Sequence, residues 1–357
     1  MARRVDMHVH FVGRGSDIEK ADTQVYFNAD DNQHLLTRVL YKLLDENLQR
    51  MGGDADGDGA ISTGEYLELL RRLLASSEEI DEVVLLALDA VYSPATGERD
   101  DKKTDFWVTN RLLGETISHL NALLRSDSSG SGKRFLMGSS ISPNRRDWEK
   151  ELEYVLEETD AVLVKLIPSV QHISMDESVH KEFFDALARK KIPLLCHVGP
   201  EYTFPEGMRR RELDCYKKLG LALERGVTLI AAHCATPVFP LLDRDDTREF
   251  SAFMRDANSG GEVRLWSDTS ALSMTTRISL APKILELFPP EQLLHGSDFP
   301  IPIEGWAHLP YVTRGVDSGG YTRIVKTKNP LDRDVRIKRA MGFSDEILLN
   351  AEKVLRL

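Results

Sequence analysis

The chain opens on Asp6-x-His8-x-His10, two imidazoles and a carboxylate at alternate positions of an apolar run. Side chains on a strand alternate between faces, so in an extended conformation these three share one face and the two rings converge. Such a pair suits a divalent metal, and it equally suits two histidines satisfied as polar groups inside a fold. Four more residues able to bind metal or move protons end later apolar runs. They are Lys165 in Val-Leu-Val-Lys-Leu-Ile-Pro, His197 in Leu-Leu-Cys-His-Val-Gly, His233 in Ile-Ala-Ala-His-Cys and Asp298 in His-Gly-Ser-Asp-Phe-Pro. An ammonium within an apolar run is costly without a partner or a task, so Lys165 in this company favours function over accident. Cys196, Cys215 and Cys234 are widely spaced and odd in number, which leaves neither a disulfide framework nor a thiolate zinc cluster. Any metal must therefore use His, Asp, Glu or Lys. Cys196 and Cys234 adjoin His197 and His233 but face away from them by strand alternation, and read as packing residues.

Something must hold these strand ends together. Eight short apolar runs recur, at 4–11, 83–89, 134–142, 161–168, 192–199, 227–234, 263–270 and 292–299. Segments of helical periodicity separate the later ones, at 148–158, 178–190 and 212–225. Repeated βα units of this kind predict an α/β protein, specifically a (β/α)8 TIM barrel, whose catalytic groups sit at the C-terminal ends of the strands. An open doubly wound sheet is the rival, but Phe11-Val-Gly-Arg-Gly is a poor match to its glycine-rich turn. Residues 332–357 read as a helical segment that caps the barrel. Residues 126–133, Ser-Asp-Ser-Ser-Gly-Ser-Gly-Lys, read as a polar surface loop.

The connection between the first two strands is far longer than the rest. Within it a helix–loop–helix is predicted over 33–76, as an insertion in a single 1–357 barrel domain. Its loop, Asp54-Ala-Asp-Gly-Asp-Gly-Ala-Ile-Ser-Thr-Gly-Glu65, has the spacing of an EF-hand calcium loop. Asp54, Asp56 and Asp58 would supply oxygens, Gly59 the sharp turn, Ala60 a carbonyl, Ser62 a direct or water-borne contact and Glu65 a bidentate carboxylate. A lone EF-hand lacks its usual partner, so a structural role for Ca2+, pinning two helices beside the barrel mouth, is expected before a regulatory one.

The ordered set His-x-His, Lys, His, His, Asp on strands one, four, five, six and eight resembles the amidohydrolase superfamily of metal-dependent hydrolases. The Gly-Ser-Asp-Phe-Pro ending and the His-x-His at the start of the chain resemble most the branch that includes aminocarboxymuconate-semialdehyde decarboxylase. The resemblance covers nearly the whole chain apart from the insertion. It implies one or two divalent metals, usually Zn2+ or another transition metal, held by His8, His10, His197 and Asp298. In the binuclear members it implies that Lys165, if carboxylated, and His233 would ligate a second ion; in the mononuclear branch, which this chain resembles more, the alternative is an unmodified Lys165 paired with a carboxylate or with substrate. Zinc lowers the pKa of its water to roughly 7, which provides a nucleophile at neutral pH. Asp298 would shuttle that water's proton, and His233 would polarise the substrate or orient the water.

The expected function is hydrolysis of a small amide, ester or lactone. The alternative is nonoxidative decarboxylation of an unsaturated or aromatic carboxylic acid on the same ligands. Arg210 and Tyr202, after the fifth strand, and Trp266, on the seventh, are candidate substrate contacts, the arginine as a carboxylate clamp; Trp306 is a further candidate for the pocket. Forty-six basic against 57 acidic residues give a net charge of −11 over 357 residues, which argues against a nucleic-acid partner. The absence of a long apolar stretch or an apolar leader predicts a cytoplasmic protein with no membrane partner. The partners expected are a small-molecule substrate and at most a second copy of the chain, as a homodimer.

Overall fold

The computed structural model describes residues 2–30, 32, 35–54, 57, 61–130, 132–301 and 318–357. Each apolar run contains a strand: β1 (Val5–His10), β2 (Glu82–Leu86), β3 (Arg134–Ser139), β4 (Ala161–Leu166), β5 (Leu194–Cys196), β6 (Leu229–Ala231), β7 (Leu265–Asp268) and β8 (Leu293–Leu294). The strands pair in chain order and every pairing is parallel. A parallel bridge joins Val9 to Phe299, with the His10 N–H donating to the Phe299 carbonyl at 2.8 Å, and brings the end of the ring back to β1. The expected (β/α)8 barrel is therefore the observed fold. Most strands stop before their apolar runs do, and His197, His233 and Asp298 lie just past the ladder, where the chain turns out over the strand ends.

Among the helices are α1 (Leu35–Arg50), α2 (Thr63–Ala75), α3 (Asn110–Ser126), α4 (Trp148–Glu157), α5 (Lys181–Lys190), α6 (Thr247–Ala257) and α7 (Pro330–Met341). Strand alternation sorts the core into two layers. Met7, Val84, Leu86, Leu163, Leu195, Ile230, Trp266 and Leu294 fill the barrel. Leu85, Phe135, Val164, Leu194, Leu229 and Leu265 face outward into the apolar stripes of the helices, such as Leu113, Leu120 and Leu124 of α3. The C-terminal segment does stopper the barrel, since Ala351, Val354 and Leu355 join the interior cluster and the Arg356 N–H donates to the Val162 carbonyl at 3.1 Å. One helical expectation needs correction: 212–225 is not a single helix. It is broken at Cys215, whose extended backbone (φ −70°, ψ 121°) separates short turns. Among the described residues no helix is long and apolar enough to cross a membrane.

The insertion packs over the barrel mouth. Arg14, just after β1, donates to both carboxylate oxygens of Asp45 on α1 at 2.7 Å. Tyr66 on α2 is buried, donates its hydroxyl to the His10 carbonyl and stacks on Phe299 with ring centroids 6.1 Å apart. One aromatic stack, one hydrogen bond and an ion pair thus tie α1 and α2 to the ends of β1 and β8.

Candidate active site

The β1–β2 ladder shifts register between Asp6 and Val9, a bulge that re-aims the side chains after it. Strict alternation consequently fails for Asp6. Instead of sharing a face with both imidazoles, it lies beneath the site and accepts the N–H groups of Ser297 (2.9 Å) and His8 (3.3 Å). Burial, only partly offset by the Ser297 hydrogen bonds, pushes its carboxyl up to about 7. Asp298 reaches the mouth from the other side of the ring. Its N–H donates to the His8 carbonyl at 2.9 Å, and its φ of +65° is one that Asp tolerates better than bulky residues do. Gly296 permits this approach, because a Cβ there would stand 2.7 Å from the His8 Cβ.

The result is a cluster in which ligand atoms of His8, His10 and Asp298 all lie within 4.8 Å of one another. His10 Nε2 is 2.9 Å and His8 Nε2 3.4 Å from Asp298 Oδ1. His8 Nδ1 donates to Asp268 Oδ2 at 2.8 Å, which leaves the lone pair on Nε2. The other oxygen of Asp268 accepts the N–H groups of His233 (2.9 Å) and Ser270 (3.0 Å) and the Ser270 hydroxyl. His233 Nδ1 lies 2.8 Å from that hydroxyl and 3.2 Å from the Ser270 carbonyl, while its Nε2 faces His197 Nδ1 at 3.2 Å. One assignment of protons satisfies the chain: His233 donates to Ser270, His197 donates to His233, and His197 Nε2 keeps a lone pair. That buried nitrogen has no hydrogen-bond partner among the described residues. It lies 3.8 Å from a carboxylate oxygen of Glu201, too far for a hydrogen bond.

Lys165 is buried, and its Nζ lies 3.3 Å from His8 Nε2. The structure thus gathers His8, His10 and Asp298 into one ligating group, sets His233 and His197 beside it in series, and places Lys165 against His8. Two imidazole nitrogens and a carboxylate, joined by an orphaned nitrogen nearby, fit a divalent transition metal.

The electrostatics agree with that fit. Burial holds His8, His197 and His233 below the usual imidazole range, His233 down to about 3. Burial works against the charges of Asp298 and Asp268. The His10 hydrogen bond and the neighbouring rings outweigh it at Asp298, and His8 and His233 do so at Asp268, so both stay anionic. Lys165 is pushed down by burial.

A pH dependence follows. Unfolded histidines take up protons below about pH 6.5, while His8, His197, His233 and the buried His295 resist protonation in the folded state. Each therefore contributes stability that is lost as pH falls, by at most about 1.4 kcal/mol per unit. Asp6, Asp214 and Glu151, whose carboxyls burial raises, work in the opposite sense, but they are outnumbered once the buried His180 is added to the four histidines above. The thermal midpoint of metal-stripped protein is expected to fall between pH 6.5 and pH 5, by calorimetry; a flat or rising midpoint would refute the neutral-imidazole assignment.

Above the cluster lies a cavity of about 1060 Å³, open solvent at its mouth included. His10, His197, His233 and Asp298 form its floor, Phe27, Phe106 and Phe204 a wall, and Tyr41, Leu44, Leu48, Ile61 and Tyr66 of the insertion its roof. None of the three residues expected at the substrate lines it. Arg210 pairs with Glu212 at 3.1 Å and is exposed. Tyr202 turns its hydroxyl to Asp243 under the Arg211 guanidinium. Trp266 lies in the barrel interior, two residues before Asp268 on β7, and donates to the Val263 carbonyl at 3.3 Å. Trp306 lies outside the described residues.

Residues not anticipated from sequence are Asp268 and Ser270, which fix the histidine tautomers, and Glu201 on the cavity wall. Arg277 is another. It is 3% exposed, donates Nε–H to the Pro237 carbonyl at 3.3 Å, and has no carboxylate within ion-pair distance among the described residues.

Of the expected calcium ligands, Asp56, Asp58 and Ala60 lie outside the described residues, as does Gly59. Asp54 accepts the Gly57 N–H at 2.8 Å. Ser62 and Glu65 form a reciprocal cap at the start of α2, with Ser62 N–H on Glu65 Oε2 at 3.0 Å and Glu65 N–H on Ser62 Oγ at 3.2 Å.

A family model described as amidohydrolase matches residues 5–315. No curated protein matches the chain. Among solved structures, 5-carboxyvanillate decarboxylase from Sphingomonas paucimobilis aligns at 11% identity over 96% of this chain and 100% of that one, with a TM-score of 0.47. A 5-carboxyvanillate decarboxylase from Novosphingobium aromaticivorans, complexed with manganese, aligns at 14% identity over 100% and 96%, with a TM-score of 0.47. The 4-oxalomesaconate hydratase of Rhodopseudomonas palustris aligns at 13% identity over 96% and 98%, with a TM-score of 0.43.

Proposed function

We propose, for a chain that belongs to the amidohydrolase family, metal-dependent hydrolysis of a small amide, ester or lactone with an apolar body. The observation that carries this reading is the convergence of His8, His10 and Asp298 at the base of a roofed, largely apolar cavity, where His10 and Asp298 line the floor and the fully buried His8 adjoins them. A divalent ion held by these three and by His197, with His233 and a carboxylated Lys165 as donors for a second, would supply Lewis-acid activation of a water. The remaining work falls to the protein. Asp298, anionic in its pocket, accepts a proton from the attacking water and returns it to the leaving group. Asp268 holds His8 and, through Ser270, His233 in single tautomers, so neither ring must reorganise during the reaction. The inserted helices exclude bulk water from above.

Nonoxidative decarboxylation of a small unsaturated or aromatic acid is the second reading, and Arg277 favours it. Its buried guanidinium, without a carboxylate in ion-pair distance among the described residues, is not among the groups that line the cavity, but its charge acts on Asp298 and Glu201 there and so favours a carboxylate beside them through its field rather than by contact. Screening esters, lactones, amides and aromatic carboxylates in 18O-labelled water separates the two. Label in the organic product supports hydrolysis, and carbon dioxide release without label in that product overturns it.

For the loop at 54–65 we retain calcium binding through Asp54, Asp56, Asp58 and Glu65, with Ala60 and Ser62 completing the set. The carboxylate spacing and the flanking helices α1 and α2 support it. Calorimetric titration with millimolar calcium is expected to give heat in the parent and none in Glu65→Gln. Equal traces for the two proteins would reduce the loop to an acidic turn.

A further inference from the structure

Polar groups that line the roofed cavity beyond its histidine floor mostly have partners within the protein. Arg14 and Asp45 bind each other, Glu201 accepts the Thr203 N–H, Ser62 is engaged in the cap of α2, and Tyr66 is bonded to the His10 carbonyl. Tyr41 is different. It projects from α1 into the cavity with its ring edge-on to Phe27 at 5.2 Å, and its hydroxyl oxygen is buried with no hydrogen-bond partner among the described residues. A buried hydroxyl without a partner is costly, and the residue that carries it lines a cavity able to hold an occupant. Phe27, Phe106 and Phe204 supply flat apolar faces in the same space, with Phe106 and Phe204 5.3 Å apart.

We propose that Tyr41 is a specificity-determining residue, donating its hydroxyl hydrogen to an acceptor oxygen on a substrate whose flat apolar body lies against Phe27, Phe106 and Phe204. The inserted helix pair then does more than roof the mouth: it reads the end of the substrate remote from the reacting bond. Burial keeps the Tyr41 proton in place well above the usual phenol range, with Asp105 and Glu201 adding to it, so the group acts as a donor. This rests on the metal-dependent reading above, because the reacting end of the substrate must sit at His8, His10 and Asp298.

The test uses zinc-loaded full-length protein and naphthohydroxamate, whose hydroxamate chelates the metal and whose rings are flat and apolar, together with its ring-methoxylated isomers. Affinities are measured by calorimetry. At least one methoxy isomer should bind the parent about fivefold more tightly than the unsubstituted compound, the size of one neutral hydrogen bond. Tyr41→Phe should erase that advantage while leaving the unsubstituted compound within about twofold of its parental affinity. If no isomer gains, or the gain survives in Tyr41→Phe, the proposal is overturned. Failure of the unsubstituted compound to bind zinc-loaded parent would instead overturn the metal reading on which it rests. Because the variant removes only an unpartnered hydroxyl, its thermal midpoint should equal or exceed the parent's; a lower midpoint would mean that the hydroxyl already has a partner and would also overturn the proposal.

Discussion

Asp298→Asn is expected to lower turnover by a factor of roughly 10²–10⁴, the range general acid–base groups contribute, while leaving the fold intact. The substitution is nearly isosteric, and Asn tolerates the left-handed backbone at this position as well as Asp does (φ +65°). Its amide oxygen can still accept the hydrogen bond from His10, now 2.9 Å, and its N–H can still donate to the His8 carbonyl. What is lost is the negative charge, with the metal ligation it supports, and the capacity to take a proton. Steady-state rates with the substrate found by screening, beside a far-ultraviolet melting curve, check both halves of the prediction. Near-parental turnover in a folded variant would remove Asp298 from the proton path.

Asp268→Ala is expected to act on stability and metal together. One fully buried carboxylate accepts from His8 Nδ1, from the N–H groups of His233 and Ser270 and from the Ser270 hydroxyl. Its removal strands those donors in the interior, at a cost of about 3–5 kcal/mol. It also frees His8 to present the wrong nitrogen to the metal, for which loss of an orienting partner typically costs about 10–100-fold in affinity. Denaturant unfolding of the metal-stripped protein measures the first effect, and competition with a chelating dye the second. Parental values in both would show that the carboxylate does not hold the site.

The barrel was legible because its signals are local. Eight apolar runs, each ending in a turn and several in a ligand-type side chain, require only the strand period and the right-handed βα rule to be read as a ring. The strand ends carrying His197, His233 and Asp298 were legible for the same reason. Other features depend on tertiary placement. Asp268 and Ser270 sit in Trp-Ser-Asp-Thr-Ser, a polar run in which nothing but the ring's three-dimensional closure tells which oxygen meets His8. Trp266, two residues earlier on the same strand, belongs to the layer below and packs inside the barrel, so a candidate for the pocket became a core residue. The bulge that separates Asp6 from the imidazoles breaks the alternation that sequence reasoning assumes. Tyr41 was visible only as one position among helical leucines, since its exposure to the cavity depends on how the insertion folds back over the mouth.

The central claim is that the mouth of this barrel holds a divalent transition metal. Elemental analysis of protein purified without added metal, repeated after reconstitution and dialysis, measures it most directly, with a His8→Ala, His10→Ala double variant alongside. One to two equivalents of zinc, manganese, iron, cobalt or nickel are expected in the parent, and a loss of most of that content in the variant. A folded parent that retains none of these metals after reconstitution, or a variant that retains as much as the parent, would contradict it.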